Sequence, residues 1–368
     1  MILFAKRKFK LLTENIANNQ NTPIPQTLEE LEAFVQTQAI DCTCDICRPD
    51  LRAKGNCLRG KHLKFDLKKN LVPNQYGNVV FAPPRFAGIG EVPPETMHLT
   101  RMIIKYFDRS VKDLNNEQLA AREAICKWRD KRWRDIISIP KTQDGRDLVT
   151  VAEMRQLWKW FNVLFFGGPI RGVNFRWSMT LFHSGCTSFH FGIPHVKINP
   201  YRLGGSFGSY IFLELISTLM HEAVHAFLIH HPCSYCCSNR MDYGENGHGR
   251  AFHVLGAKLE EVFPRLLGLP LRLGRVESVF ADWKYPVSLP SVHEFSEWKL
   301  QDDYGYETDE DVLDLCKWVR KMPDGTVDSV IIRHPERRLD FELVWSRSID
   351  GSLEFYRRRR GQPRSRTF

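Results

Sequence analysis

Apolar positions recur at helical intervals in several separate stretches of the chain. Around Asn115 to Ile137, Leu114, Ala121, Ile125, Trp128 and Ile136 alternate with mixed charges, which predicts a helix ended by Pro140 and the Asp144-Gly145 pair. A second helix is predicted over Val151 to Phe165, stopped by Gly167, Gly168 and Pro169. Short strand-like runs follow at Asn174 to Thr180, Thr187 to Phe191 and His195 to Asn199. Tyr210 to Ile229 is almost continuously apolar, and Gly249 to Phe263 returns to a helical period before the signal weakens after Pro264. Val327 to Arg333 and Phe341 to Trp345 are the remaining strand candidates, with a turn at Asp324-Gly325 before the first.

These changes of pattern divide the chain. Residues 1–100 combine Asn-rich polar text, a cysteine cluster and a Pro/Gly-rich linker at 72–95, and are expected to be partly disordered. Residues 101–150 form a helical connector, and 151–268 are the dense apolar and aromatic unit. An α/β extension of unassigned role spans 269–356, and an Arg-rich disordered tail spans 357–368. No internal repeat is visible. The seven acids between Asp302 and Asp314 read as a solvated loop and helix start.

Composition adds little about fold: 43% apolar and 26% charged residues are ordinary for a globular chain. The net charge of +9 is uneven, because Arg357 to Arg360, Arg364 and Arg366 stand in the last twelve residues without an acid. The tail is therefore a candidate for phosphate-backbone (DNA) binding or nuclear import, against the plainer reading of a solubilising end. Met1 to Lys10 has only Ile2 to Ala5 before its basic residues, with no apolar core of signal-peptide length. An intracellular, reducing and nuclear setting is the expectation.

Tyr210 to Ile229 has the length of a membrane span, but it contains Glu214, His221, Glu222 and His225. Acidic groups at mid-bilayer cost about 2.5–3.5 kcal/mol each, so a soluble helix with a polar stripe is expected and no membrane partner. Within it stands His221-Glu222-Ala223-Val224-His225. On a helix His225 lies about 40° round from His221, so the two imidazoles can grip one Zn²⁺ while Glu222 faces the rim. Phe212, Leu215, Ile216, Leu219, Met220, Ala223, Ala226 and Phe227 fall on the opposite side.

A catalytic zinc needs a third ligand and one open position. His248, held between Gly247 and Gly249, is the leading candidate, because glycines let the backbone bring its imidazole back over the helix. Glu245 is the main competitor; His230 and His231 follow His225 too closely to fold back.

Several further motifs stand in order around this helix: Leu157-Trp158-x-x-Phe161-Asn162-x-x-Phe165-Phe166, Phe175-Arg176-Trp177-Ser178, Val196-Lys197-Ile198-Asn199, and Gly247-His248-Gly249-x-x-Phe252. Over about Leu157 to Phe263 the chain resembles the SprT-like metalloproteases, whose eukaryotic members include the Spartan DNA–protein crosslink proteases. The resemblance implies an α+β, zincin-like SprT domain at 151–268, with a small sheet packed on the metal helix and additional N-terminal and C-terminal regions. It implies His221, His225 and His248 as zinc ligands and Glu222 as the catalytic acid/base in hydrolysis of peptide bonds, with protein substrates, possible DNA association and a strand at 195–199 that adds the substrate to the sheet. The alternative is a nucleic-acid-associated zinc-binding protein or scaffold with little or no peptidase activity.

The chain also departs from that family. The loop between His225 and His248 is longer than in Spartan and contains Cys233, Cys236 and Cys237, which read as a surface loop or reversible thiol pair, with a structural metal on the Cys-x-x-Cys pair as the lesser alternative. Phe86-Ala-Gly88-Ile-Gly90 resembles the segregase hook of Spartan proteins but lacks its later leucine and reads as loop glycines. No ubiquitin-binding finger or sliding-clamp box is visible, so segregase and ubiquitin partners lack clear motifs. Cys42, Cys44, Cys47 and Cys57 lie within 16 residues and are candidates for a second, structural zinc.

Overall fold

The computed structural model describes residues 25–320 apart from 26, 39, 50–56, 58–60, 64–65, 88–90, 140–144, 171, 204–206, 208, 237–238, 283–288 and 301–308, and beyond them 331–332, 341–347 and 353–359. The chain is a mixed α+β protein.

Helix α1 (Leu28–Gln38) buries Leu28, Leu31 and Val35, one stripe at helical spacing. Strands β1 (Leu71–Pro73) and β2 (Val79–Phe81) form an antiparallel hairpin in the stretch where the prolines predicted a linker. Its turn is fastened from the side: Asn74 Nδ2 donates to the carbonyls of Lys112 at 2.7 Å and Leu114 at 2.9 Å. The hairpin is only three residues per strand, too short for alternation to show in sequence.

Three longer helices follow, α2 (Thr96–Phe107), α3 (Asn116–Ile136) and α4 (Val151–Phe166). Asn115 with Gln118, and Thr150 with Glu153, form reciprocal capping boxes that satisfy first-turn N–H groups of α3 and α4. Gly167, at φ 77°, closes α4 in the left-handed conformation. The expected α3 and α4 are thus present almost to the residue.

Strands β3 (Asn174–Trp177), β4 (Gly185–His190) and β5 (Ile193–Ile198) make one small sheet in the order β3-β5-β4. β5 lies in the middle, parallel to β3 and antiparallel to β4. Helix α5 (Ile211–His230) packs on β4 and β5, and α6 (Asn239–Tyr243), α7 (Arg250–Leu267), α8 (Arg275–Ala281), α9 (Val292–Glu297) and α10 (Asp309–Arg320) complete the helical part. α7 runs one turn past Pro264 before Gly268 caps it at φ 60°. β6 (Ile331–Ile332), β7 (Phe341–Arg347) and β8 (Leu353–Arg359) form an antiparallel sheet. Arg357, Arg358 and Arg359 pair there with Leu343, Glu342 and Phe341, so the arginine run begins inside a strand and not in a free tail. Arg360, Arg364 and Arg366 lie outside the described residues, as do Asp302, Asp303 and Glu307 of the acidic run.

One continuous core joins residues from Leu28 to Cys316. At its centre Phe165 stacks on Phe263 at 5.6 Å and meets Phe107 edge-on at 5.6 Å, locking α2, α4 and α7 together. Each buried phenylalanine contributes about 1.5–3 kcal/mol of transfer free energy. Among the described helices α5 alone is long and apolar enough to cross a membrane, yet 16 of its 20 residues are buried in protein. Its apolar surface is explained by this core.

Candidate metal centre

The polar stripe of α5 faces α7 and the loop before it. Because His221 and His225 are one turn apart, their rings share a side, and the chain returns at His248 to close a triangle. The Nε2 atoms lie 2.9 Å apart for His221 and His225, 3.1 Å for His225 and His248, and 3.3 Å for His248 and His221. Phe252, in the first turn of α7, lies against all three imidazoles with its ring centroid at 4.8, 5.2 and 4.9 Å from those of His221, His225 and His248. The phenyl ring thus makes an apolar floor that holds the rings in place.

The loop geometry depends on Gly247. Its φ is 87°, and a Cβ there would stand 2.8 Å from His225 Nδ1. Only glycine brings the backbone this close in this conformation.

Hydrogen bonding decides which face of His221 is available. Its Nδ1 is 2.8 Å from the carbonyl oxygen of Leu273, and a carbonyl only accepts. Nδ1 therefore carries the proton and Nε2 presents a lone pair to the triangle. His248 Nδ1 faces the buried Asp282 carboxylate at 3.6 Å, and the Asn246 side-chain amide donates to the same carboxylate. Burial, followed by the neighbouring His248, pushes the His221 pKa down to about 3. Burial, followed by His221 and His248, holds His225 well below the ordinary histidine range. No set of tautomers gives three mutually facing ring nitrogens a hydrogen bond along every edge. A divalent cation would satisfy all three. Tetrahedral zinc with bonds of about 2.0–2.1 Å would set its nitrogen ligands about 3.3 Å apart, so the donor set fits zinc.

Glu222 lies on the adjoining side of α5. Its Oε2 accepts a hydrogen bond from the Thr187 hydroxyl at 2.7 Å, and Gly185 leaves room for Oε1, which a Cβ there would strike. Burial pushes its pKa up to about 8, opposed by the Thr187 hydrogen bond. A bound cation would oppose it further. Tyr243 lines the same cavity, and burial raises its phenol to about 12, so it remains a donor. The cavity has a volume of about 710 Å³ and opens between β4 and the segment from Arg272 to Asp282.

His221, Glu222, His225 and His248 are therefore brought together as the sequence predicts, and Glu245 is exposed outside the triad. Strand 195–199 needs correction as a substrate-pairing strand. β5 is paired on both sides, so it offers no free edge; β4 is the edge strand that lines the cavity. Sequence reading missed Thr187, Leu273 and Asp282, because none carries a local pattern.

The cysteine grouping also needs correction. Cys42, Cys44 and Cys47 meet His293, whereas Cys57 joins His62, Cys233 and Cys236, and each of these groups could hold a metal ion. Cys233 is fully buried, so the 233–236 pair is not a surface thiol pair. Cys237 and the glycines of the 86–90 motif lie outside the described residues; Phe86 itself packs against Phe227 and His231. His293 stands far in sequence from Cys42, Cys44 and Cys47, and Cys233 and Cys236 stand far from Cys57 and His62, which hides both sets from any spacing rule.

Comparison with known proteins gives no match: no family model, no curated protein and no solved structure corresponds to this chain.

Proposed function

We propose that the chain is a zinc-dependent metallopeptidase of the SprT-like, zincin kind, with His221, His225 and His248 as ligands and Glu222 as acid and base. One observation supports this reading above the others: three imidazole Nε2 atoms converge at 2.9–3.3 Å beside a buried glutamate that lines the same cavity. A purely structural site has no use for that carboxylate or for an open cavity on the ligand side.

Zinc bound there would supply Lewis-acid polarisation of the scissile carbonyl and activation of water. The chain's own residues supply the rest. Thr187 holds Glu222 Oε2, which leaves Oε1 to take a proton from the attacking water and return it to the leaving amine. Tyr243 is a donor on the cavity wall that can serve the developing oxyanion. β4 supplies unpaired backbone groups along which an extended peptide adds as a further strand. A hydrolase built this way takes a polypeptide threaded through an open cleft.

The arginines from Arg357 to Arg366 extend the reading to proteins held on DNA in the nucleus, since such a cluster binds polyphosphate by releasing counterions. The test is incubation of purified protein with an unfolded protein substrate, with and without single-stranded DNA, beside Glu222→Gln. The expected result is cleavage into peptides identified by mass spectrometry, absent in the variant. Equal cleavage by wild type and variant removes Glu222 from its role, and no cleavage by either leaves the scaffold alternative.

A further inference from the structure

Six of the ten cysteines assemble with two histidines into two four-residue sets, each drawn from distant parts of the chain. In the first, Cys42 Sγ and Cys44 Sγ stand 3.8 and 3.6 Å from His293 Nδ1, and Cys44 Sγ accepts the Cys47 backbone N–H at 3.2 Å. In the second, Cys57 Sγ is 3.4 Å from Cys233 Sγ, and Cys236 Sγ is 2.9 Å from His62 Nε2. Within each set all ligand atoms lie inside 4.8 Å of one another.

Disulfides do not account for this arrangement. A sulfur–sulfur bond is about 2.05 Å long, well short of the Cys57–Cys233 separation. Each set also contains three thiols and one imidazole. Pairing two of the thiols would leave a thiol and a ring nitrogen with no role. Zinc uses all four: bonds of about 2.3 Å to sulfur and 2.0–2.1 Å to nitrogen place tetrahedral ligands about 3.6 Å apart. Four protein ligands close the coordination shell, which is the arrangement of a structural ion and not of a catalytic one.

Both sets touch the loop that delivers His248. Cys233 lies three residues past the end of α5, and its N–H donates to the Pro94 carbonyl at 2.9 Å, so the second set fastens the loop where it leaves the helix. At the far end, Arg250 follows His248 by two positions. Its guanidinium donates to Asp242 at 3.0 Å, to Glu294, and to Thr43 Oγ1 at 3.2 Å. Thr43 lies between two ligands of the first set, and Glu294 is next to its histidine.

We propose that Cys42, Cys44, Cys47 and His293, and separately Cys57, His62, Cys233 and Cys236, are two structural zinc sites that tie the N-terminal segment to the helical body and clamp both ends of the loop from His225 to His248. The two sites do not depend on peptidase activity. They make the placement of His248 dependent on metal bound elsewhere.

The experiment counts zinc in the purified full-length chain by mass spectrometry of the element. Three zinc ions per chain are expected, one for each group, falling to two in His221→Ala/His225→Ala, Cys44→Ser or Cys236→Ser. Because a cysteine variant can fail to fold, the histidine double variant is also loaded with Co²⁺. Intense thiolate-to-cobalt charge-transfer absorption is then expected, since six thiolates remain. A single zinc in wild type, loss of all zinc in the histidine variant, or absence of that absorption overturns the proposal. Two zincs unchanged by the histidine substitutions would instead sink the triad and leave the two thiolate sites standing.

Discussion

His221 Nδ1 lies 2.8 Å from the carbonyl oxygen of Leu273. This contact fixes the His221 tautomer and aims its free lone pair at His225 and His248. Leu273 is itself held, because its backbone N–H and the Arg275 guanidinium both reach the Glu260 carboxylate on α7. The triad thus draws on a residue 52 positions beyond His221 in the chain.

Asp282 plays the corresponding part for His248. Asp282→Asn keeps the shape and removes the charge facing Nδ1 at 3.6 Å. Outer partners of this kind are worth about 10–100-fold in metal affinity. Competition with a chromophoric chelator should show the triad zinc weakened by that factor, with secondary structure unchanged by circular dichroism.

Two glycine substitutions should fail in different ways. Gly185→Ala pushes a methyl group into Glu222, so turnover should fall while zinc stays bound. Gly247→Ala places a side chain at φ 87° and against His225 Nδ1, at a backbone cost of about 1–2 kcal/mol, so zinc occupancy of the triad should fall first. Parallel measurement of zinc content and peptide cleavage separates the two.

Tyr243→Phe removes a half-buried donor from the cavity without changing its volume appreciably. If Tyr243 serves the oxyanion, kcat should drop about 100-fold with KM nearly unchanged. Steady-state kinetics on one peptide substrate reads this directly; an equal loss in binding would assign Tyr243 to substrate positioning instead.

The metal helix was legible because its chemistry is local. His221, Glu222 and His225 fall on one arc of a helix, and the glycines around His248 mark a backbone that must bend back. The ends of α3 and α4 were legible for the same reason, through Asn115, Gln118, Thr150 and Glu153. What stayed hidden is assembled by tertiary contact. Cys57 is near Cys47 in sequence yet belongs with Cys233, because the fold between them, not the spacing, chooses the partner. β5 looked available for a substrate because period-2 alternation says nothing about which strand is central. The β1–β2 hairpin was obscured by Pro73 and the prolines after Phe81, which mark loops in most contexts, but here Pro73 ends β1 opposite Val79 and the others follow β2.

The central claim is that one divalent ion is shared by His221, His225 and His248. Anomalous diffraction from crystals of the full-length protein, recorded on both sides of the zinc absorption edge, locates it most directly. The account predicts a zinc peak about 2.0–2.1 Å from all three Nε2 atoms, with Glu222 beside it and not bound to it. Strong peaks at both cysteine sets, with none among the three imidazoles, would contradict it.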